Sequence, residues 1–363
     1  MHKSIVFGKI QNLDRFIKKN PIKNLGIAIG LVVGFATMTA QPVTAAEQVN
    51  IYTSRHYKAD QDLFKAFEKE TGIKVNTVQG KDNALFQRLK REGRNSPADL
   101  LVTVDAGNLG RAQKANLFQP IRSEKIYKAV PKRLRDPKGH WVGLTIRARV
   151  IMYHLDRVKP SALSTYEGLK DKKWKGRILI RSSNNIYNQS LVASLIATMG
   201  KEKTLAWAKG FTANFARKPK GGDRDQIRGV GAGVADIAIS NTYYLGRLTA
   251  SKKAKDKALV AKIGVFFPNQ GAGRGAHINI SGVGITRHAK NVKNATRLIE
   301  FLLRKKSQKK YANANYEYPV RADIPLSGIV KAWGAFKADH INVVNFARYN
   351  ADAVRIMDKA GWR

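Results

Sequence analysis

The alternation of short apolar strands with amphipathic helices is what most limits the folds open to this chain. Residues 49–52 read as a strand, and residues 60–70 as a helix with Leu63, Phe64 and Phe67 on one face. Thr71-Gly72 ends that helix and residues 73–78 read as the next strand. Strand, crossover helix and strand in that order is a βαβ unit, which places its two strands in parallel. A helix at 84–92, a strand at 99–104 and a helix at 107–115 extend the pattern, predicting a parallel sheet covered by helices on both faces.

The pattern then repeats in a second block. Residues 141–145 and 150–154 read as strands on either side of Arg147 and Arg149, which marks a first crossing between domains. A strand at 177–180, helices at 189–199 and 201–216, and Gly221-Gly222-Asp223-Arg224-Asp225 opening a short helix follow. A strand at 236–239 leads into Tyr243-Tyr244. Strands at 263–267 and 277–285 come next, the second carrying the chain back to the first domain. Helices at 291–304 and 306–314, a turn at Tyr318-Pro319 and two more helical stretches complete the chain. The expected fold class is α/β: two lobes joined by a hinge, with a ligand cleft between them. The lobes are expected to divide as 47–148 with 272–322, and 149–271 with 323–363.

The first 46 residues read as an export signal. Lys3, Lys9, Arg15, Lys18, Lys19 and Lys23 form a basic stretch, an apolar run follows at 25–35, and Thr44-Ala45-Ala46 supplies small residues for cleavage. The apolar run is shorter than the roughly 18 residues a membrane span needs. About 317 residues then remain, enough for two domains with a core each. The chain has no cysteine, so disulfides, thiolate metal sites and thiol catalysis are excluded.

Its formal charge is +40, of which about +35 remains without the first 46 residues. A field of that sign attracts polyanions. Yet the basic residues are spread along the chain, and the densest clusters, 252–257 and 304–310, fall on helix-like segments. The charge reads as a property of the surface, and no specific nucleic acid is expected as a partner.

Motifs for catalysis are missing. The sequence holds no Gly-x-Ser-x-Gly elbow, no His-Glu-x-x-His helix, no phosphate-binding Gly-x-x-x-x-Gly-Lys-Ser/Thr loop and no Gly-x-Gly-x-x-Gly after a strand. The glycine runs 229–233 and 271–275 lack the spacing for phosphate and read as loops or helix ends.

Tyrosines supply a different pattern. Tyr57 follows the first strand, Tyr187 follows the strand at 177–180, and Tyr243 with Tyr244 follows the strand at 236–239. Each lies just past the carboxyl end of a predicted strand, which is where open α/β sheets line their clefts. One such tyrosine is ordinarily a packing residue with a wet hydroxyl. Four at equivalent positions can converge when two lobes meet.

The segments Tyr52-Thr53-Ser54-Arg55-His56-Tyr57, Gly221-Gly222-Asp223-Arg224-Asp225-Gln226, Asn241-Thr242-Tyr243-Tyr244-Leu245-Gly246, His277-Ile278-Asn279-Ile280-Ser281-Gly282 and Glu317-Tyr318-Pro319-Val320 occur in that order. Together they resemble the ferric-iron-binding periplasmic components of bacterial ABC transporters. The branch they look most like is the tyrosine-rich iron-uptake proteins best known from cyanobacteria, and the resemblance runs through the whole chain after the signal. It implies a bilobed periplasmic-binding-protein fold, Fe(III) as the bound ion, an ABC permease in the inner membrane as partner, a monomer, and no enzymatic activity. The implied ligands are Tyr57 from the first lobe and Tyr187, Tyr243 and Tyr244 from the second. His56 matches a position that ligates in some members and stands aside in others.

The chemistry agrees on independent grounds. Fe(III) is a hard cation that prefers anionic oxygen over soft sulfur. A free phenol ionises near pH ~10, so binding must displace protons, and nearby cations ease that displacement. Arg247, one helical turn past the tyrosine pair, and Arg147 at the presumed hinge are placed for this, with plain salt bridging as the alternative. Two other readings stay open: a small anion or organic solute held by Arg147, Arg247 and helix N-termini, and a basic protein that binds polyanions.

Overall fold

Residues 47–326 and 328–363 are described by the computed structural model; the predicted export signal lies outside the described residues. The expected opening is present as β1 (Gln48–Thr53), α1 (Lys58–Thr71) and β2 (Lys74–Gln79). Leu63, Phe64 and Phe67 are buried on α1, and Gly72 ends the helix at φ 72° with its N–H donating to Glu68 O. The chain continues through α2 (Asp82–Glu92), β3 (Leu100–Val104), α3 (Ala106–Lys114), β4 (Phe118–Gln119), α4 (Glu124–Ala129), β5 (Val142–His154) and β6 (Ile178–Leu179). After these come α5 (Ile186–Met199), α6 (Lys201–Thr212), α7 (Asp223–Gly231), β7 (Ile237–Asn241), α8 (Thr242–Thr249), α9 (Ala254–Val260), β8 (Ile263–Phe266) and β9 (Ile278–Thr286). The last elements are α10 (Val292–Leu302), α11 (Lys305–Asn315), β10 (Tyr318–Pro319), α12 (Gly328–Ala332), α13 (Val344–Arg348) and α14 (Asn350–Lys359).

The sheet is mixed, not parallel throughout. β1 lies parallel to both β2 and β3. β9 then inserts antiparallel between β3 and β5, so the strand that returns late in the chain completes the first sheet. Local periodicity shows a strand but not its direction, which is set when distant segments meet.

A second departure lies in β5. The two strands expected around Arg147 and Arg149 are one strand of 13 residues, buried along its whole length. Residues Val142 to Ala148 pair with β9, while Arg149 to Tyr153 pair with β7 and Ile151 to His154 with β8. One strand thus runs through both lobes, giving the path β2-β1-β3-β9-β5-β7-β6. Charged residues in a strand read as an interruption because a buried charge is costly; here each arginine has buried partners, so the strand continues. Tyr318-Pro319, expected as a turn, pairs instead with Ile146 and Thr145 of β5.

Two apolar cores flank this sheet. The larger spans β1, β3, β9 and the start of β5 and extends to one face of β7, with Trp141, Phe67 and Phe301 among its members. The smaller lies beneath α5, α6 and α14, where Trp207 stacks on Phe211 at 4.8 Å and Phe211 meets Trp362 at 5.3 Å. The Trp362 indole N–H donates to Arg181 O at 3.1 Å, so the last turn of the chain closes this core. The basic clusters at 252–257 and 304–310 present their lysines and arginines to solvent on α9, α11 and the residues leading into them.

Candidate metal centre

All four tyrosines stand at helix starts rather than in the loops the sequence indicated. Tyr57 is the residue before α1, at φ −89° and ψ 142°. Tyr187 is the second residue of α5, where Asn185 caps the helix by accepting from the Tyr187 N–H at 3.1 Å. Tyr243 and Tyr244 are the second and third residues of α8. A helix N-terminus carries partial positive charge, so a phenol there ionises into a favourable field. The expected loops are shorter because the helices begin immediately after Asn185 and Asn241, which hold the N-cap positions, the Asn185 side chain alone of the two accepting a capping bond.

The structure brings the four together. Tyr187 Oη and Tyr243 Oη are 3.4 Å apart, at hydrogen-bonding distance. The Tyr57 ring meets the Tyr243 ring edge-on with centroids 6.5 Å apart, and the Tyr243 and Tyr244 rings are 4.2 Å apart. Tyr57, Tyr187 and Tyr243 are buried and Tyr244 is half-buried. His56 is exposed, its ring 4.9 Å from that of Tyr57. It lies adjacent to the cluster on the solvent side.

Five guanidinium groups surround the phenols. Arg247 lies 4.0 Å over the Tyr57 ring and 5.7 Å from that of Tyr243, and Arg55 lies 4.9 Å from Tyr57. Arg147, Arg181 and Arg149 stand 5.2, 5.8 and 6.0 Å from the Tyr187 ring. Sequence reasoning named Arg147 and Arg247 and missed Arg55, Arg149 and Arg181. A signal was present, since Arg149 follows Arg147 by two residues and so shares its face of the strand. Arg55 lies within the motif that ends at Tyr57.

Buried carboxylates hold these cations in place. Arg55 donates to Glu317 at 3.0 and 3.2 Å and to Asp60 at 2.9 Å. Arg147 donates to Ser281 Oγ at 3.0 Å and to Ile280 O. Asp223 accepts from Arg149 at 3.0 Å and from Arg181 at 2.6 Å. Asn315 accepts from Arg247 and donates to Glu317. Arg247 on α8 and Arg55 beside α1 are thus linked across the cleft by Asn315 and Glu317, with Tyr57 between them.

Three of the phenols, Tyr57, Tyr187 and Tyr243, are held in their neutral form until something displaces the proton. Burial pushes Tyr187 and Tyr243 well above the ordinary phenol value; neighbouring phenols add to this, and Arg147 opposes it. Burial raises Tyr57 too, with Glu317 adding, while Arg55 and Arg247 pull it down. Glu317 is held low against its own burial by Arg55. Among the described residues no group of three or more His, Cys, Asp or Glu side chains could hold a metal ion. What the site offers a cation is therefore phenolic oxygen, backed by arginines that stabilise it once ionised, a donor set suited to a hard trivalent ion.

Comparison with known proteins adds to this geometry. A family model described as bacterial extracellular solute-binding protein matches residues 62–338. The chain is 49% identical over 350 residues to Iron uptake protein A1 of Synechocystis, covering 94% of this chain and 97% of that protein. It is 25% identical over 333 residues to the major ferric iron-binding protein of Neisseria meningitidis, covering 90% of this chain and 97% of that one. Among solved structures it is similar to the Trichodesmium protein (IdiA, FutA) in complex with iron and citrate ligands. That match has a TM-score of 0.85 and 50% identity, and covers 87% of this chain and 100% of the other.

Proposed function

This chain belongs to the bacterial extracellular solute-binding protein family, and we propose that it is the periplasmic carrier that captures Fe(III) on tyrosine phenolates and delivers it to an ABC-type permease of the inner membrane. The observation that carries this reading is the convergence of four phenols from three helix starts, with two hydroxyl oxygens 3.4 Å apart and arginines around them. Relatives covering nearly the whole chain are iron uptake and ferric iron-binding proteins. Tyr57, Tyr187, Tyr243 and Tyr244 are the proposed ligands, with His56 as a further donor. Arg147 and Arg247 stand behind them to stabilise the phenolates.

The proposed lobes are 47–148 with 272–322 and 149–271 with 323–363, hinged where β5 passes from the sheet it shares with β9 to the sheet it shares with β7. In the open form Fe(III) meets Tyr187, Tyr243 and Tyr244 of the second lobe. Closure then adds Tyr57 and seats Arg247 against it. An ion that binds the closed form better shifts the hinge by that difference in affinity. Each phenol gives up its proton on binding, so acid reverses capture, and reduction to Fe(II) weakens the preference for phenolate. The protein acts by capture and transfer as a monomer, not as an enzyme, and reaches the periplasm by a cleaved N-terminal signal. Nucleic acid has no part in it.

A visible absorption spectrum before and after Fe(III) addition tests this. A phenolate-to-iron charge-transfer band is expected in the native protein and lost or greatly weakened when Tyr243→Phe and Tyr244→Phe are combined. A native protein that shows no band at mildly alkaline pH with excess iron overturns the proposal and favours a small anion as the ligand.

A further inference from the structure

Asp105 is a buried acid between β3 and α3. It ends β3 and precedes α3 with φ 78° and ψ 126°, a backbone conformation that favours glycine. Its side chain is fully buried. A side chain kept where glycine would relieve the strain points to a use for its carboxylate.

That carboxylate joins four elements. Oδ1 accepts from Gly107 N at 2.8 Å, at the start of α3, and from Ser190 Oγ at 2.6 Å, on α5. Oδ2 accepts from Asn279 Nδ2 at 2.8 Å, on β9. The Asp105 N–H donates to Ile280 O at 2.8 Å, and Asn279 Oδ1 accepts from Ala106 N at 2.9 Å. The end of β3, the start of α3, β9 and α5 are thereby tied to one group.

The bond to Ser190 matters most. Ser190 lies three residues after Tyr187 and so shares its face of α5. The approach there is close: a Cβ on Gly107 would come 3.2 Å from Ile186 Cδ1 and 3.4 Å from Ser190 Oγ. α13 packs against both α3 and α5 just beyond, where a Cβ on Gly110 would fall 2.2 Å from that of Ala347. The two helices are thus closely packed at this point.

We propose that Asp105 is a positioning residue for the tyrosine site, holding α5 against the first lobe in the closed form through Ser190 so that Tyr187 is held at the distance from Tyr57 that binding requires. Asp105 makes no hydrogen bond to a phenol; besides its bond to α5, its carboxylate faces the charge of Arg147, so Ser190→Ala is the variant that isolates the link to the helix. The inference rests on the ferric reading given above.

The test follows the charge-transfer band of the iron-loaded protein as EDTA removes the metal, for the native protein, Ser190→Ala, Asp105→Asn and the double variant. Ser190→Ala deletes one hydroxyl and leaves the Asp105 cap and the Asn279 bond in place, so it separates positioning from folding. Release is expected to quicken about 10- to 100-fold in Ser190→Ala, in line with the loss of groups that orient a metal's ligands. The band should shift as the Tyr187 contribution changes. The double variant should release no faster than Asp105→Asn, because both substitutions cut one connection. Release from Ser190→Ala within about twofold of native, with a coincident band, overturns the role of Asp105 while leaving the ferric reading standing. A native protein without a band overturns both.

Discussion

At the scale of single residues, three of the four proposed ligands are phenols that burial keeps neutral. Tyr57, Tyr187 and Tyr243 have folded-state pKa values raised by burial. In the unfolded chain they ionise near pH ~10. Between those values the unfolded chain has lost protons that the folded protein keeps. The stability they contribute is thus complete below about pH 10 and is lost as pH rises through the folded values. The metal-free protein should therefore melt at progressively lower temperature above about pH 10, and a Tyr57→Phe, Tyr187→Phe, Tyr243→Phe variant should lose less over the same range. Iron binding runs the other way, since each proton released makes capture tighter as pH rises and weaker as it falls. Thermal melts of the metal-free and iron-loaded forms across the alkaline range check both signs; parallel curves would contradict the assignment of these phenols. The tyrosines were legible in the sequence because each follows a strand. The acids that hold the arginines were not: Glu317 reaches Arg55 from 262 residues away, and Asp223 meets Arg149 and Arg181 only once β5 and α7 are packed.

Among the elements, α8 holds two of the four proposed ligands and one of the proposed supporting arginines within eight residues. Tyr243, Tyr244 and Arg247 occupy one of its faces and turns, and Gly246 faces Tyr316 at the end of α11. A Cβ on Gly246 would come 2.7 Å from the Tyr316 Cβ and Cγ atoms. Gly246→Ala improves helix propensity by about 1 kcal/mol yet puts a methyl group where the first lobe meets α8. The variant should release iron to a chelator at least severalfold faster than native. Equal release rates would show that α8 does not seat against α11 in the loaded protein. β5 gives the converse lesson. Its two halves were read correctly as strands from their apolar residues, but Arg147 and Arg149 looked like a break because sequence alone cannot show that a charge will find Glu317 or Asp223. Likewise Tyr318-Pro319 has the composition of a turn and becomes a strand only because β5 offers it an edge.

For the whole molecule, the +40 charge and the iron site are separable. Surface charges are screened by salt, with a Debye length of about 8 Å at physiological ionic strength, whereas an ion held by inner ligands in a buried cleft is not. Raising the salt from low to molar concentration should elute the protein from a polyanionic resin while leaving the charge-transfer band and the EDTA release rate nearly unchanged. Parallel losses of both would mean that the surface field, not the phenols, holds the metal. The order of strands and helices, the export signal as an expectation, the exclusion of thiol chemistry and the placing of tyrosines past strand ends were all determined by the sequence itself, because periodicity, composition and helix boundaries are local properties. Tertiary structure alone decided that β9 joins the first sheet antiparallel, that β5 is continuous, that the four phenols meet, and that Asp105 grips α5. These depend on which distant segments share a low-dielectric interior, where a charge is tolerated only beside its partner and a hydroxyl only beside its acceptor.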